Sequence, residues 1–583
     1  MVTPAPRLGA LAFTVAGLAL LAVLATLPPT GFFSADSGPK YWQCVAFAEG
    51  EGWPRGFDYP ARDLDPERRH IPPFTAPIGD RLVSIYPVLF PLLAAVPELA
   101  AGDRALRLLP WLAALAAAWA TGRLASALRG DPVTGWGSAA ALAATPLAFY
   151  AIAFWEHSLA AAMVVVGLLL VVEGERGGAR MTWRWGALGL LVGLGTWVRS
   201  EVAFLAPVLV VAAVWQGGLA RPRSVLALAG GCVTGLAGGA AVQAVTLGRW
   251  LPLHAAYHAE SSLRAYDFLA SRLASLWQYA APHWSAGFAA AVWLVALAIT
   301  LSRPGSRSRA GELAGVAAVA TAVAAATVVP AVRWLSGAAP TDAFPVSAPA
   351  ATWIVLSALP LLLWGQPRAA VLDRRRWLVA AAAVGSIAAV FVARPVRSFE
   401  WGGRYFVPAG LLLLAFTASL PVAEGGRRRL RRAAVVAAVA TAVVVQVLGL
   451  VLLRHGAMTH QTLTAELLAF SEAGEPIITD SYMLPLLSGR GWWQRRFLYA
   501  TGRSGVERLA ASIAQQGVAR WTYATLERAP AGLLGDDRVL VGADGVRWVA
   551  VLEEERDVRS ERLRLVRFER RRPRPAAAGT EAR

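Results

Sequence analysis

The chain alternates long apolar runs with short, arginine-bearing polar turns. A helix needs about 20 apolar residues to cross a hydrocarbon core, and runs of that order recur from Leu8–Leu27 to Ala433–Leu453. Between them lie Ala105–Leu128, Val133–Phe154, Ser158–Val172, Trp185–Val198, Val202–Trp215, Ser224–Leu247 and Ala286–Leu301. Ala310–Val332, Ala348–Trp364, Trp377–Ala393 and Tyr405–Val422 complete the set. The pattern predicts an all-α polytopic membrane protein.

Leu8–Leu27 follows Arg7 and lacks a small-x-small cleavage site before Pro28 and Pro29. It reads as a retained signal-anchor. Ser84–Ala101 is apolar but interrupted by Pro87, Pro91 and Pro97. Proline inside a helix removes a hydrogen bond and clashes with the preceding turn. The positive-inside rule decides how to count it. If Ser84–Ala101 lies along the outer surface, the Arg123/Arg129, Arg176/Arg180/Arg184, Arg221/Arg223, Arg303/Arg307/Arg309, Arg368/Arg374/Arg375/Arg376 and Arg427–Arg432 clusters all face the cytoplasm. If it spans, all of them face outward. The first choice is expected: about thirteen spans, N-terminus inside and C-terminus outside, in the cell membrane.

Hydropathy drops after Leu453. Pro476–Thr479, Arg496–Tyr499, Arg520–Thr525 and Val546–Leu552 read as strands, and Val506–Gln516 as a helix ending before Gly517. The expected organisation is a transmembrane domain over 1–453, an extracytoplasmic α/β domain over 454–569 and a disordered basic tail over 570–583. Within the first of these, 28–101 would form an outer loop with interfacial helices.

Composition sharpens this picture. Hydrophobic residues make up 56% and charged residues only 16%, whereas soluble domains carry about 25% charged. The formal charge of +18 would suggest nucleic acid in a soluble protein. Here the excess sits between spans, so no nucleic-acid partner is expected. The two cysteines, Cys44 and Cys232, cannot frame a disulfide scaffold or a metal box, and nothing in the sequence requires a metal or other cofactor. Lys40 is the single lysine.

On this topology all seven histidines, His70, His157, His254, His258, His283, His455 and His460, fall on the outer face. So do Asp36, Glu156, Glu201, Glu260 and Glu400, so chemistry is expected there. Asp36 stands just after the first span, before a short helix over Pro39–Glu49, where it could serve simply as a cap. Glu156 has a plain role as a first-turn acid, and Arg199 with Glu201 as a surface ion pair. Trp401–Pro408 suits an aromatic belt with Arg404 snorkelling, and 249–285, with His258 and Arg264, an interfacial helix. Together they gather acids, bases and aromatics on one membrane face.

The order of these features resembles the membrane C-type (GT-C) glycosyltransferases that use polyprenyl-phosphate sugars. It is most similar to bacterial relatives of protein O-mannosyltransferases and lipid A aminoarabinose transferases. The resemblance rests on the first span, Asp36, Tyr41 and the helix around it, Tyr86-Pro87 with Pro91, the outward Glu156, and Trp-Gly-x-Arg-Tyr-x-x-Pro at Trp401–Pro408. It covers roughly residues 1–425. It implies a GT-C-like fold and transfer of a sugar from a lipid-linked donor to a lipid, glycan or protein acceptor. Asp36 would be the catalytic base and Glu156 the second acid, near the donor phosphate. Lys40, Tyr41, Tyr86, His157, Arg199, Glu201, His258, Arg264, Arg404 and Tyr405 would bind substrate. Two positions depart from the pattern: Ser37 stands where many relatives carry Glu, and Ile85 where some carry a basic residue. A lipid or solute transporter, or flippase, is the alternative, although charged residues sit at span ends and not at midplane. A structural or assembly protein with a partner-binding C-terminal domain is a third reading.

Overall fold

The computed structural model describes residues 6–50, 54–174, 182–217, 222–251, 253–254, 284–302, 308–335, 354–364, 366, 373–393, 404–420, 428–526, 539–542, 546–559 and 561–571. The chain divides into two compact units. One comprises Met1–Thr26 and Pro87–Arg454, the other Leu27–Tyr86 and His455–Arg583.

The first unit is helical. Among the described residues, six helices are long and apolar enough to cross a membrane, alongside shorter apolar ones. Several expected spans prove to be broken. Val133–Phe154 is two helices, α5 (Thr134–Ala143) and α6 (Leu147–Ile152). Pro146 cannot donate to the helix ladder, and the Thr145 hydroxyl bonds Ala141 O at 2.6 Å and accepts from Leu147 N at 3.2 Å. Val202–Trp215 opens with a 3-10 turn, Ser200–Phe204, before α9 (Leu205–Gly217). Tyr405–Val422 opens likewise with Arg404–Phe406 ahead of Val407–Ser419. The second and third of these breaks carry candidate site residues, Glu201 within one and Arg404 and Tyr405 within the other. The last span continues unbroken through Arg428–Phe470.

The helix α3 (Leu89–Ala101) has only 13 residues, too short to span. It leaves Val96 68% and Leu99 71% exposed, as an interfacial helix would. Helices α8 (Thr182–Thr196) and α10 (Pro222–Leu247) pack closely because Gly193 and Gly235 face each other's backbones. A Cβ at Gly193 would strike the Cys232 carbonyl, the small-residue contact by which membrane helices approach.

Arginines assigned to orientation also tie helix ends together. Arg376 Nη2 donates to the Leu128 carbonyl at 3.2 Å and the Ser419 carbonyl at 3.4 Å, so one guanidinium caps two helix C-termini. Arg431 pairs with Glu312 at 3.3 Å and lies over the Trp364 ring at 4.4 Å. Reporter fusions after Arg129, Arg180, Arg309, Arg376 and Arg432 are expected to read cytoplasmic, and one after Leu453 external. An external reading at Arg432 would reverse the orientation argued from the arginines.

The second unit joins the first outer loop to the C-terminal segment, a grouping that differs from the expected division at 453/454. Its sheet has the order β4-β3-β5-β8-β7-β6. Strands β3 (Pro476–Thr479), β4 (Arg496–Tyr499) and β5 (Arg520–Leu526) run parallel. The helix Gly502–Gln515 provides the crossover, ending before Gly517 at φ +79°. Strands β6 (Val539–Val541), β7 (Arg547–Val558) and β8 (Glu561–Arg570) add an antiparallel half. Strand β8 was not legible as a strand because six of its ten residues are Arg or Glu. Cross-strand pairs such as Arg564–Glu553, at 2.8 Å, neutralise much of that charge. The outer loop contributes a hairpin, β1 (Thr75–Ile78) and β2 (Arg81–Ser84), turning at Gly79. Of the tail expected over 570–583, Arg570 instead ends β8, and 572–583 lie outside the described residues.

Candidate functional site

Six predicted site residues converge in the first unit. Helix α6 ends at Ile152, a turn follows in which Trp155 N donates to Ala153 O at 2.8 Å, and α7 (His157–Gly174) begins. This turn puts Glu156 and His157 at the N-terminal end of α7. The ring of His157 stacks on Tyr150, 4.6 Å between centroids. Arg199 stands between the end of α8 and the 3-10 turn that opens α9, in extended conformation.

Its guanidinium joins both carboxylates. Nε and Nη2 donate to the two oxygens of Glu201 at 3.1 and 3.0 Å, a bidentate fork. Nη1 donates to Glu156 Oε1 at 2.7 Å. The same nitrogen lies 2.8 Å from His157 Nε2. Guanidinium nitrogens only donate, so Nε2 accepts and His157 is neutral with its proton on Nδ1. The expected surface ion pair is therefore corrected: side-chain exposures are 10% for Arg199, 4% for Glu156 and 8% for Glu201. The bends on either side turn these side chains inward. Burial by itself would lower the Arg199 pKa, but Glu201 and Glu156 outweigh it and the net direction is up.

Arg404 lies beside this bridge. Its Nη2 donates to the Tyr405 hydroxyl at 3.0 Å, and its guanidinium is 5.8 Å from the Trp155 ring centroid. Arg199 lies over the Tyr405 ring at 5.1 Å. His157, Arg199, Glu201, Arg404, Tyr405 and Pro408 line a small, partly open cavity together with the apolar Val390 and Leu205. The lining thus carries two guanidiniums and the Glu201 carboxylate; the fork of Arg199 is taken by Glu201, and a guanidinium such as that of Arg404 matches phosphate geometry.

The remaining described candidates belong to the second unit. Helix α2 (Ser37–Glu49) begins two residues before the expected Pro39. Asp36 holds the position before it, but with φ −57° and ψ −24° and no side-chain capping bond. An N-cap residue adopts extended angles and uses its side-chain oxygen on the first turn, so the carboxylate of Asp36 is not serving as a cap. Lys40, one turn on, is 1% exposed, with Nζ 4.2 Å from the Tyr86 ring centroid. Tyr41 is fully buried and packs against Phe32 (5.3 Å) and Trp493 (6.3 Å). His258 and Arg264 lie outside the described residues, as do Trp401–Gly403. Among the described residues, no group of three His, Cys, Asp or Glu is arranged to hold a metal ion.

The burial of Lys40 makes a sharp prediction. A guanidinium is broader than an ammonium and cannot occupy the same space over Tyr86. Lys40→Arg is expected to keep the charge yet reduce turnover more than about tenfold. Wild-type rates in that variant would leave Lys40 as a packing residue.

No protein-family model and no curated protein sequence matches this chain. Solved structures do resemble it. One is ArnT from Cupriavidus metallidurans bound to undecaprenyl phosphate, at 14% identity and TM-score 0.48, covering 95% of this chain and 97% of the other. Another is the Archaeoglobus fulgidus oligosaccharyltransferase in complex with Zn and sulfate. It shows 11% identity and TM-score 0.42, covering 88% of this chain and 67% of the other.

Sequence reasoning missed the aromatic wall behind the bridge, Tyr150 with Trp155 (5.7 Å between centroids). The signal was present as aromatic residues immediately before Glu156-His157, but within an apolar run they are indistinguishable from core.

Proposed function

We propose that this chain is an integral membrane glycosyltransferase that moves a sugar from a polyprenyl-phosphate donor to an extracytoplasmic acceptor. One observation carries the reading: a buried Glu156–Arg199–Glu201 bridge at helix ends, with Arg404 on the same cavity. Glu156 and Glu201 offset the charge of Arg199, so in this reading the positive charge offered to a phosphate leaving group comes chiefly from Arg404, and a single well-placed donor is worth about 10²–10³ in rate. Transporter sites instead place polar groups at broken helices near midplane.

In this reading the acceptor hydroxyl attacks the anomeric carbon as the bond to the phosphate oxygen breaks. Asp36 accepts the hydroxyl proton, and polyprenyl phosphate departs with the electron pair. Displacement by one nucleophile inverts the anomeric centre. General-base assistance is worth about 10²–10⁴. Arg404 and Arg199 meet the phosphate charge, while Glu156 and Glu201 keep Arg199 in one orientation and His157, as acceptor, limits its rotation.

The test is turnover of polyprenyl-phosphate sugars by the purified protein, followed as release of polyprenyl phosphate. Asp36-dependent consumption of donor supports the reading. Movement of labelled donor across vesicle membranes without cleavage would replace it with a flippase.

A further inference from the structure

The helix α2, which follows Asp36 and carries Lys40, is seated on the C-terminal segment of its own unit. A Cβ at Gly38 would collide with the carbonyl oxygen of Leu486, so backbone meets backbone two residues after Asp36. Trp42 stacks on Trp492 at 4.4 Å, with an interplanar angle of 28°, and its indole N–H donates to the Gly489 carbonyl at 3.1 Å. Gly489 itself has φ +56°, and a Cβ there would lie 2.7 Å from Thr30 Cβ. Upstream of Asp36, the Phe32 carbonyl lies 2.6 Å from His460 Nδ1. Trp42 and Trp492 are both fully buried. The chain on both sides of Asp36 is thus held by residues more than 400 positions away.

We infer that the segment Met483–Trp492 is a positioning element for Asp36 and Lys40, so the C-terminal α/β part acts as the socket of the first outer loop. The inference rests on the glycosyl-transfer reading for what Asp36 does. That the segment holds α2 does not depend on it. Catalytic groups must sit within a fraction of an ångström of their productive position, and a carboxylate at the mouth of a loop cannot do so unaided. A glycine at 38 lets two backbones meet without an intervening side chain. The Trp42–Trp492 stack then fixes the helix rotation that sets where Lys40 points.

Cys44 lies in α2 and is fully buried, and neither cysteine forms a disulfide. Cys232→Ala therefore leaves one thiol, and maleimide labelling of Cys44 reports loosening of α2 independently of activity. In that background Gly38→Ala and Trp492→Ala are expected to speed Cys44 labelling at least about tenfold. Trp492→Phe, which keeps a stacking ring, should restore it to within about threefold. Gly38→Ala should lower kcat about tenfold or more while the donor KM stays within about threefold, because binding persists and placement does not. Glu507→Ala, in an exposed pair with Arg503 on a remote helix, should change neither readout.

Labelling unchanged in both Gly38→Ala and Trp492→Ala would overturn the socket. Faster labelling with unchanged kcat would overturn the positioning role while leaving the transferase reading intact. If wild-type protein consumes no donor, the transferase reading falls. Labelling alone then decides whether the segment holds α2.

Discussion

Asp36→Asn is expected to abolish sugar transfer, by about 10²–10⁴ in kcat, while leaving expression, membrane insertion and thermal stability unchanged. As the proposed base, Asp36 would contribute only what is needed in the transition state. The carboxylate makes no capping bond to α2, and the Ser34 hydroxyl accepts from Asp36 N at 3.3 Å, a backbone contact that asparagine keeps. Asparagine is isosteric and tolerates the same backbone. Donor binding should persist, so KM changes little. Retention of most activity would remove Asp36 from the chemistry. A collapse in stability would show that its charge serves the fold.

Arg199→Ala is expected to have the largest effect on the fold. It would leave Glu156 and Glu201 buried at 4% and 8% exposure without their shared cation. Breaking a buried pair in this way costs about 3–5 kcal/mol, a large part of the 5–15 kcal/mol typical of a folded domain. A fall in the unfolding temperature in detergent would report it. Arg199→Lys keeps the charge but loses the fork, since an ammonium cannot bond both oxygens of Glu201 and Glu156 together. Stability should fall less than in the alanine variant, while turnover falls more than about tenfold. Combining Arg199→Met with Glu156→Gln and Glu201→Gln removes the stranded charges and should recover stability without activity. An alanine variant as stable as wild type would sink the buried-bridge account.

The sequence located residues better than it described their surroundings. Asp36, Lys40, Glu156, Arg199, Glu201 and Arg404 could all be singled out because charge is conspicuous between apolar runs. Their burial was misjudged wherever neighbours distant in sequence decide it. Arg199 and Glu201 read as a surface pair because nothing local signals that Glu156, 43 residues upstream, approaches to 2.7 Å. For Asp36 the residue type offered a cap as the plain alternative to a base, and the backbone it adopts sets the cap aside.

Hydrophobic spacing by itself determined the class of protein, the positions of most helices and the strands Pro476–Thr479 and Arg496–Tyr499. These follow from local periodicity and length, which a chain carries in any conformation. The tertiary structure decided the burial of the Arg199 bridge, the strand character of the charged segment Glu561–Arg570, and the attachment of residues 27–86 to the C-terminal segment. Each depends on partners brought together only by folding: a cross-strand carboxylate, a distant carbonyl, a stacked indole. The energy of such contacts lies in excluding water between residues far apart in the chain, and no pattern along one segment encodes it.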